Sequence, residues 1–130
     1  MTNGKATSRD IEQLKQRTKK FAVRIVRLFR ALPKSDEARI IGRQLLRSGT
    51  SVGANYRAVC RARSKREFIA KVGCVVEESD ESVFWLELLV ECAIMPERKL
   101  AALTQEAEEL LAIFAASQRT AKYGRSSIRH

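Results

Sequence analysis

Apolar residues recur at alternating steps of three and four along four segments, and this spacing constrains the fold more than any other feature. The 3.6-residue period places such residues on one face of an α-helix. In the first segment the row consists of Ile11, Leu14, Phe21, Ile25, Leu28 and Leu32, with Thr18 in the remaining position. Because the breaks between segments are short, consecutive helices are expected to be antiparallel neighbours. The sequence predicts an all-α fold, a single antiparallel up-down-up-down four-helix bundle over residues 1–130.

Proline and serine residues between the segments predict where the helices begin and end. Pro33 ends the first helix because proline lacks a backbone N–H and disfavours helical geometry in the residue before it. Ser35 is a candidate N-cap, Ser64 begins a capping box with Glu67, and Pro96 suits a first helical position. The predicted helices span residues 8–32, 36–63, 64–95 and 96–123, with Gly124 ending the last one and flexible tails at 1–7 and 124–130.

The middle of the second helix, residues 48–54, is the weakest helical segment of the chain. It contains two glycines and two serines, which have poor helix propensity, so a turn is the alternative. We favour a continuous helix because no proline interrupts it and the apolar period holds on both sides. Small residues at these positions would let a neighbouring helix approach closely.

The third helix is both apolar and acidic. Three adjacent rows of apolar residues give it more apolar surface than one packing groove needs, which indicates a central helix or a contact between copies of the chain. Residues 64–96 also contain seven acidic and three basic residues.

Positive charge is concentrated in the first two helices. The chain has a formal net charge of +10, and residues 1–63 contain 16 basic and 4 acidic residues. Such a balance favours polyanionic partners, and arginine side chains pair well with phosphate oxygens. The candidate nucleic-acid-binding residues form two rows at helical spacing: Arg17, Lys20, Arg24 and Arg27 on the first helix, and Arg39, Arg43 and Arg47 on the second. The alternative is that some of them pair with carboxylates of the third helix, within a chain or between chains.

Several classes of site have no counterpart in the sequence. The single histidine is the terminal His130, and no phosphate-binding glycine loop is present, so we predict no enzymatic activity, no metal site and no cofactor. Cys60, Cys74 and Cys92 lack metal-ligand spacing and are expected to be small buried residues in a reducing compartment. No apolar run has the length of a membrane span, and the chain is expected to be cytoplasmic.

Five short stretches of the sequence resemble a bacterial family. They are Ser51–Arg57, Arg61–Ser64, Glu67–Ile69, Glu77–Glu81 and Trp85–Leu89. The family comprises small four-helix proteins encoded by intervening sequences in large-subunit ribosomal RNA genes. The resemblance implies a homopentamer without catalytic residues, in which Asn55, Ser64, Glu67 and Phe68 serve folding and capping. A related branch comprises accessory proteins of diversity-generating retroelements, which bind nucleic acid and a reverse transcriptase.

These observations lead to one hypothesis and two alternatives. The leading hypothesis is a non-enzymatic, homo-oligomeric basic protein that binds the phosphate backbone of nucleic acid, with RNA favoured over DNA. The first alternative is a protein–protein scaffold, including an accessory subunit of a reverse transcriptase complex. The second is binding to an anionic membrane surface.

Overall fold

Four α-helices, each antiparallel to the next, make up the computed structural model, which describes residues 7–128 and their side chains through Gly124. They are α1 (Ser8–Ala31), α2 (Asp36–Cys60), α3 (Lys65–Glu91) and α4 (Glu97–Ile128). These residues contain no strand. The predicted all-α four-helix bundle is confirmed. Parts of the predicted flexible tails, residues 1–6 and 129–130 including His130, lie outside the described residues.

Short polar side chains cap the starts of α1, α2 and α3. Thr7 forms a full capping box at α1, in which its Oγ1 accepts from the Asp10 N–H at 3.0 Å and Asp10 Oδ2 accepts from the Thr7 N–H at 3.2 Å. Ser64 caps α3 by accepting from the Glu67 N–H at 3.0 Å. The predicted capping box at Ser64 is only half formed, because the Glu67 carboxylate accepts from the Arg63 N–H at 2.8 Å and not from that of Ser64.

Two helices, α2 and α3, end three or four residues earlier than the sequence predicted. α2 ends at Cys60 and not at residue 63, because residues 61–64 form the connection to α3. α3 ends at Glu91 and not at residue 95, since Ala93 adopts the left-handed conformation with φ 58°. The Ile94 N–H then donates to the Leu89 carbonyl and the Ala93 N–H to the Val90 carbonyl, which is a Schellman motif. In α4, Gly124 interrupts the helical geometry with φ 54° and ψ −158°.

The predicted apolar rows form one core that all four helices share. Its largest fully buried side chains include Phe21, Ile25, Leu45, Leu86 and Phe114. Four polar residues are also buried, and their hydroxyl groups bond within the protein: Thr18, Ser48, Ser79 and Ser82. Ser82 Oγ donates to Ser48 Oγ at 3.0 Å, which joins α3 to α2 inside the core. Residues 48–54 are helical throughout, so the predicted turn alternative is wrong.

Glycines of α2 bring it close to α1. A Cβ atom at Gly49 would lie 2.7 Å from Ile25 Cγ1, and one at Gly42 would lie 2.7 Å from Leu32 Cδ1. At Gly53 it would lie 3.3 Å from the Thr18 carbonyl oxygen. The small residues predicted to permit a close helix approach therefore do so, and the partner is α1.

The helices pack in a cycle, and one side of the cycle is looser than the others. α2 packs extensively against α1 and α3, and α3 against α4, whereas the pairing of α1 with α4 is the least extensive. The α1–α2 side and the α3–α4 side therefore lie on opposite faces of the bundle.

Candidate nucleic-acid interface

Arg17, the first of the candidate nucleic-acid-binding residues, is held in ion pairs across the loose α1–α4 side. Its Nε lies 2.8 Å from Glu106 Oε2 and its Nη2 lies 2.9 Å from Glu106 Oε1, which is a bidentate pair. Nη2 also lies 2.5 Å from Glu109 Oε1. The hydrogen bonds that Arg17 donates to Glu106 raise the pKa of Arg17, and the charges of both carboxylates add to that shift. Arg17 thus links two helices within the chain.

Arg47 forms ion pairs in the same way on the α2–α3 side. Its Nη2 lies 2.6 Å from Glu81 Oε1 and its Nη1 lies 3.3 Å from both oxygens of Glu78. Trp85 Nε1 donates to the other Glu81 oxygen at 3.2 Å. Hydrogen bonding from Arg47 lowers the pKa of Glu81, and the Trp85 bond adds to that shift. The alternative interpretation, in which the arginines pair with carboxylates of the third helix, is therefore correct for Arg47, and the pair lies within one chain.

The other five candidate residues are exposed. Arg39 donates to the Lys34 carbonyl at 2.8 Å, near the α1–α2 connection. The remaining four, Lys20, Arg24, Arg27 and Arg43, are exposed and form no ion pair with any carboxylate of the described residues. Because Arg17 points to α4 and Arg47 points to α3, the two predicted rows approach opposite edges of the α1–α2 side and do not form one continuous strip.

A groove between α1 and α2 brings together basic residues that were not among the predicted set. It has a volume of about 330 Å³, and we call it the α1–α2 groove. Lys15, Lys19 and Arg57 supply its charge, while its floor is made of small residues: Thr18, Ala22, Thr50, Gly53 and Ala54. An adjoining depression adds Arg61 and Glu12 to Lys15 and Arg57.

The sequence did contain a signal for this groove. Gly49, Gly53 and Arg57 follow one another at four-residue steps and therefore lie on the same face of α2. Once the two glycines are known to face α1, Arg57 must lie beside α1 too. The sequence alone did not say which helix the glycines approach.

A second groove, between α3 and α4, has the opposite charge. It has a volume of about 600 Å³, and we call it the α3–α4 groove. Its charged lining residues are all acidic: Glu87, Glu91, Glu97 and Glu108. Because the two grooves lie on opposite faces of the bundle, the protein has a basic side and an acidic side.

The cysteines differ from their prediction. Cys60, Cys74 and Cys92 are exposed and form no disulfide among themselves, so the prediction of buried cysteines is wrong. The reason is their position: Cys74 lies between the buried residues Val72 and Val75 on the outer face of α3, while Cys60 and Cys92 lie at helix ends. Over residues 7–128, no cluster of three metal-binding side chains occurs, and no helix combines the length and apolarity needed to cross a bilayer.

The fold and the two charged sides define a basic four-helix bundle protein with one cationic and one acidic groove. Residues 12–116 match the family model of the 23S rRNA-intervening sequence protein, and the chain belongs to that family.

A solved structure is also similar to the chain. It is a protein of unknown function from the S23 ribosomal protein family of Bacteroides thetaiotaomicron VPI-5482. The two chains are 32% identical with a TM-score of 0.76, and the match covers 82% of this chain and 98% of the other. No curated protein matches the chain.

Proposed function

We propose that the protein is a non-enzymatic, homo-oligomeric nucleic-acid-binding protein whose α1–α2 side contacts the phosphate backbone, with RNA as the favoured ligand. The observation that carries the proposal is the α1–α2 groove. Three cationic side chains, those of Lys15, Lys19 and Arg57, border a floor of small residues. A cationic groove of this kind suits a row of phosphates because sequence-independent affinity comes from neutralising them.

The charged residues around the groove also favour the α1–α2 side as the binding surface. Four further cationic residues extend the positive field beyond the groove, because they are exposed and form no ion pair with a described carboxylate. They are Lys20, Arg24, Arg27 and Arg43. The acidic α3–α4 groove would repel a polyanion. A nucleic acid is therefore expected to approach from the α1–α2 side only.

The preference for RNA rests on the family. Its description connects its members with the intervening sequences of 23S rRNA. Aromatic side chains do not accompany the groove, since its lining consists of basic and small residues. Contacts to the backbone are therefore expected to dominate over base stacking, and sequence preference is expected to be weak.

The test is fluorescence anisotropy with a labelled RNA hairpin and a DNA duplex of equal length, titrated between about 50 and 200 mM salt. Wild-type protein should bind both, the RNA more tightly, with affinity falling steeply as salt rises. Combining Lys15→Gln, Lys19→Gln and Arg57→Gln should weaken binding and reduce the slope of log K against log salt by about 2–3, since each lost phosphate contact contributes about 0.9.

A matched control removes the same charge elsewhere. Arg98, Lys99 and Lys122 are exposed residues of α4, and their combined change to glutamine should leave most of the affinity and the slope intact. If wild type does not bind at the lowest salt, the proposal fails. Equal weakening in the two triple variants would contradict the assignment to the groove.

Assembly with copies of itself is the second element of the proposal. An exposed aromatic pair on α3 supports it: Phe84 is 52% exposed, with its ring centroid 4.8 Å from that of Trp85. The family resemblance favours five copies. Multi-angle light scattering at micromolar concentration should give a mass five times that of the chain, and a monomer mass would contradict assembly.

The protein-scaffold alternative is favoured by the same exposed Phe84. It includes the role of an accessory subunit of a reverse transcriptase complex. A pull-down before and after nuclease treatment separates it from the leading proposal. A protein partner that survives nuclease supports the scaffold, whereas loss of all partners supports binding through nucleic acid.

A further inference from the structure

One end of the bundle contains an apolar cavity that is distinct from both grooves. It has a volume of about 750 Å³ and lies where α1 begins, α2 ends and α3 begins, against the middle of α4. We call it the end cavity. Its walls come mainly from apolar side chains, among them Leu14, Val59, Phe68, Val72 and Phe114. This volume is within the range of small-molecule sites, about 300–1,000 Å³.

The end cavity exists because α1 and α4 pack poorly against each other. Leu14 continues the buried row of α1 toward its start, yet it remains half-buried, as does Phe68 at the start of α3. Ala62 and Ser117 also line the cavity, and their small side chains do not fill it. The Arg17 ion pairs with α4 close the α1–α4 side about one turn further along α1. The described residues thus leave an apolar space at this end of the core.

The polar groups of the end cavity are few and favour a negatively charged ligand. Lys65 is the only charged residue among the described residues that line it. Ser117 and Tyr56 each add a hydroxyl group to the lining. Burial raises the pKa of Tyr56 above its ordinary value, and its interactions with the neighbouring Cys60 add to that shift.

We propose that the end cavity binds a small amphipathic carboxylate of the medium-chain fatty acid class. The hydrocarbon chain lies against the apolar walls, where its removal from water provides most of the affinity. The carboxylate lies at the rim, paired with the Lys65 ammonium group. A charge-assisted hydrogen bond of this kind selects an acid over the corresponding alcohol. The inference is independent of nucleic-acid binding, because none of the groove residues Lys15, Lys19 and Arg57 lines the end cavity.

The test is isothermal titration calorimetry of the full chain with decanoate, decanol and decyltrimethylammonium, each below its micelle concentration. Decanoate should bind with one site per chain, decanol about tenfold more weakly, and the cation more weakly than decanol. Absence of decanoate binding overturns the proposal. Equal affinity for decanoate and decanol overturns the role of Lys65.

Two variants locate the site. Lys65→Gln should reduce decanoate affinity about tenfold and leave decanol affinity unchanged, whereas Lys99→Gln, an exposed lysine at the opposite end of the bundle, should change neither. Ser117→Trp should weaken binding of both, because the indole ring would occupy part of the cavity. Should Ser117→Trp fail to fold, the comparison of Lys65→Gln with Lys99→Gln still decides the proposal.

Light scattering in the presence of decanoate tests the main rival occupant, a second copy of the chain. An unchanged mass is the expected result. A decrease in mass would show that decanoate displaces a neighbouring subunit from the end cavity, and it would overturn the proposal of a small-molecule site.

Discussion

The Arg17 guanidinium of α1 holds the Glu106 carboxylate of α4 in a two-point ion pair, with Nε 2.8 Å from Oε2 and Nη2 2.9 Å from Oε1. This pair crosses the side of the bundle where helix packing is least extensive. Glu106 is the more protected partner, since 18% of its side chain is exposed compared with 36% for Arg17. A residue that the sequence indicated as a phosphate contact thus connects two helices of its own chain.

Replacing Arg17 with methionine should lower the free energy of unfolding by about 1 kcal/mol. The methionine keeps the apolar part of the side chain but loses both bonds to Glu106, and partial exposure limits the effect. Urea denaturation measures it. Arg24→Met is the control, because Arg24 is exposed and pairs with no described carboxylate, and it should change stability by less than about 0.5 kcal/mol. Equal losses in the two variants would contradict a structural role for the Arg17 pair.

The Arg47–Glu81 pair should make stability depend on pH. Arg47 holds the pKa of Glu81 below its ordinary value of 4.5. A carboxyl whose pKa is lower in the folded state than in the unfolded state stabilises the fold above pH 4.5, and this stabilisation is lost as pH falls through the lower, folded-state pKa. Arg47→Gln should therefore destabilise the protein at pH 7, by less than about 1 kcal/mol because both side chains are partly exposed, and should have little effect near pH 2.

Urea denaturation of wild type and Arg47→Gln at several pH values between 2 and 7 measures this difference. Arg43→Gln is a matched control on the same helix, since Arg43 forms no ion pair with the described carboxylates, and it should show no such pH dependence. A constant effect of Arg47→Gln across the pH range would exclude the pair with Glu81 as its cause.

Gly49→Ala should destabilise the protein by about 1–3 kcal/mol. The added Cβ would lie 2.7 Å from Cγ1 and 3.0 Å from Cγ2 of Ile25, which is completely buried and cannot move without disturbing the core. Gly73→Ala is the control in α3, where the nearest atom is the flexible Gln118 Nε2 at 2.9 Å. It should be neutral or stabilising by up to about 1 kcal/mol through helix propensity. Thermal and urea unfolding distinguish the two, and a neutral Gly49→Ala would show that α1 and α2 are further apart.

Ala93→Gly should stabilise the protein by about 0.5–1 kcal/mol. Ala93 adopts φ 58° at the end of α3, where glycine avoids the steric cost of a Cβ atom. The same substitution at exposed Ala101 inside α4 should destabilise by about 1 kcal/mol, because glycine has low helix propensity. We expect the two substitutions to change the free energy of unfolding, measured by urea denaturation, in opposite directions. A loss of stability at both positions would mean that Ala93 is not in the left-handed conformation.

The sequence by itself determined the number of helices, their approximate limits and most of the core. The spacing of apolar residues is a local property, because residues three and four apart share a helix face whatever the helix packs against. For this reason Phe21, Leu45 and Phe114 are buried as their spacing predicted. The ends of α2 and α3 were predicted less accurately, since Cys60 and Ala93 mark helix ends without the usual glycine or proline.

The tertiary structure alone decided how the charges are used. Whether an arginine is free or paired depends on the rotation of its helix and on the neighbouring helix, and neither appears in the spacing of one segment. Thus Arg17 and Arg47 are paired with carboxylates of α4 and α3, while Lys15, Lys19 and Arg57 line a groove. The physical reason is the close approach of α1 and α2 at the α2 glycines, which brings basic residues of two helices to one surface.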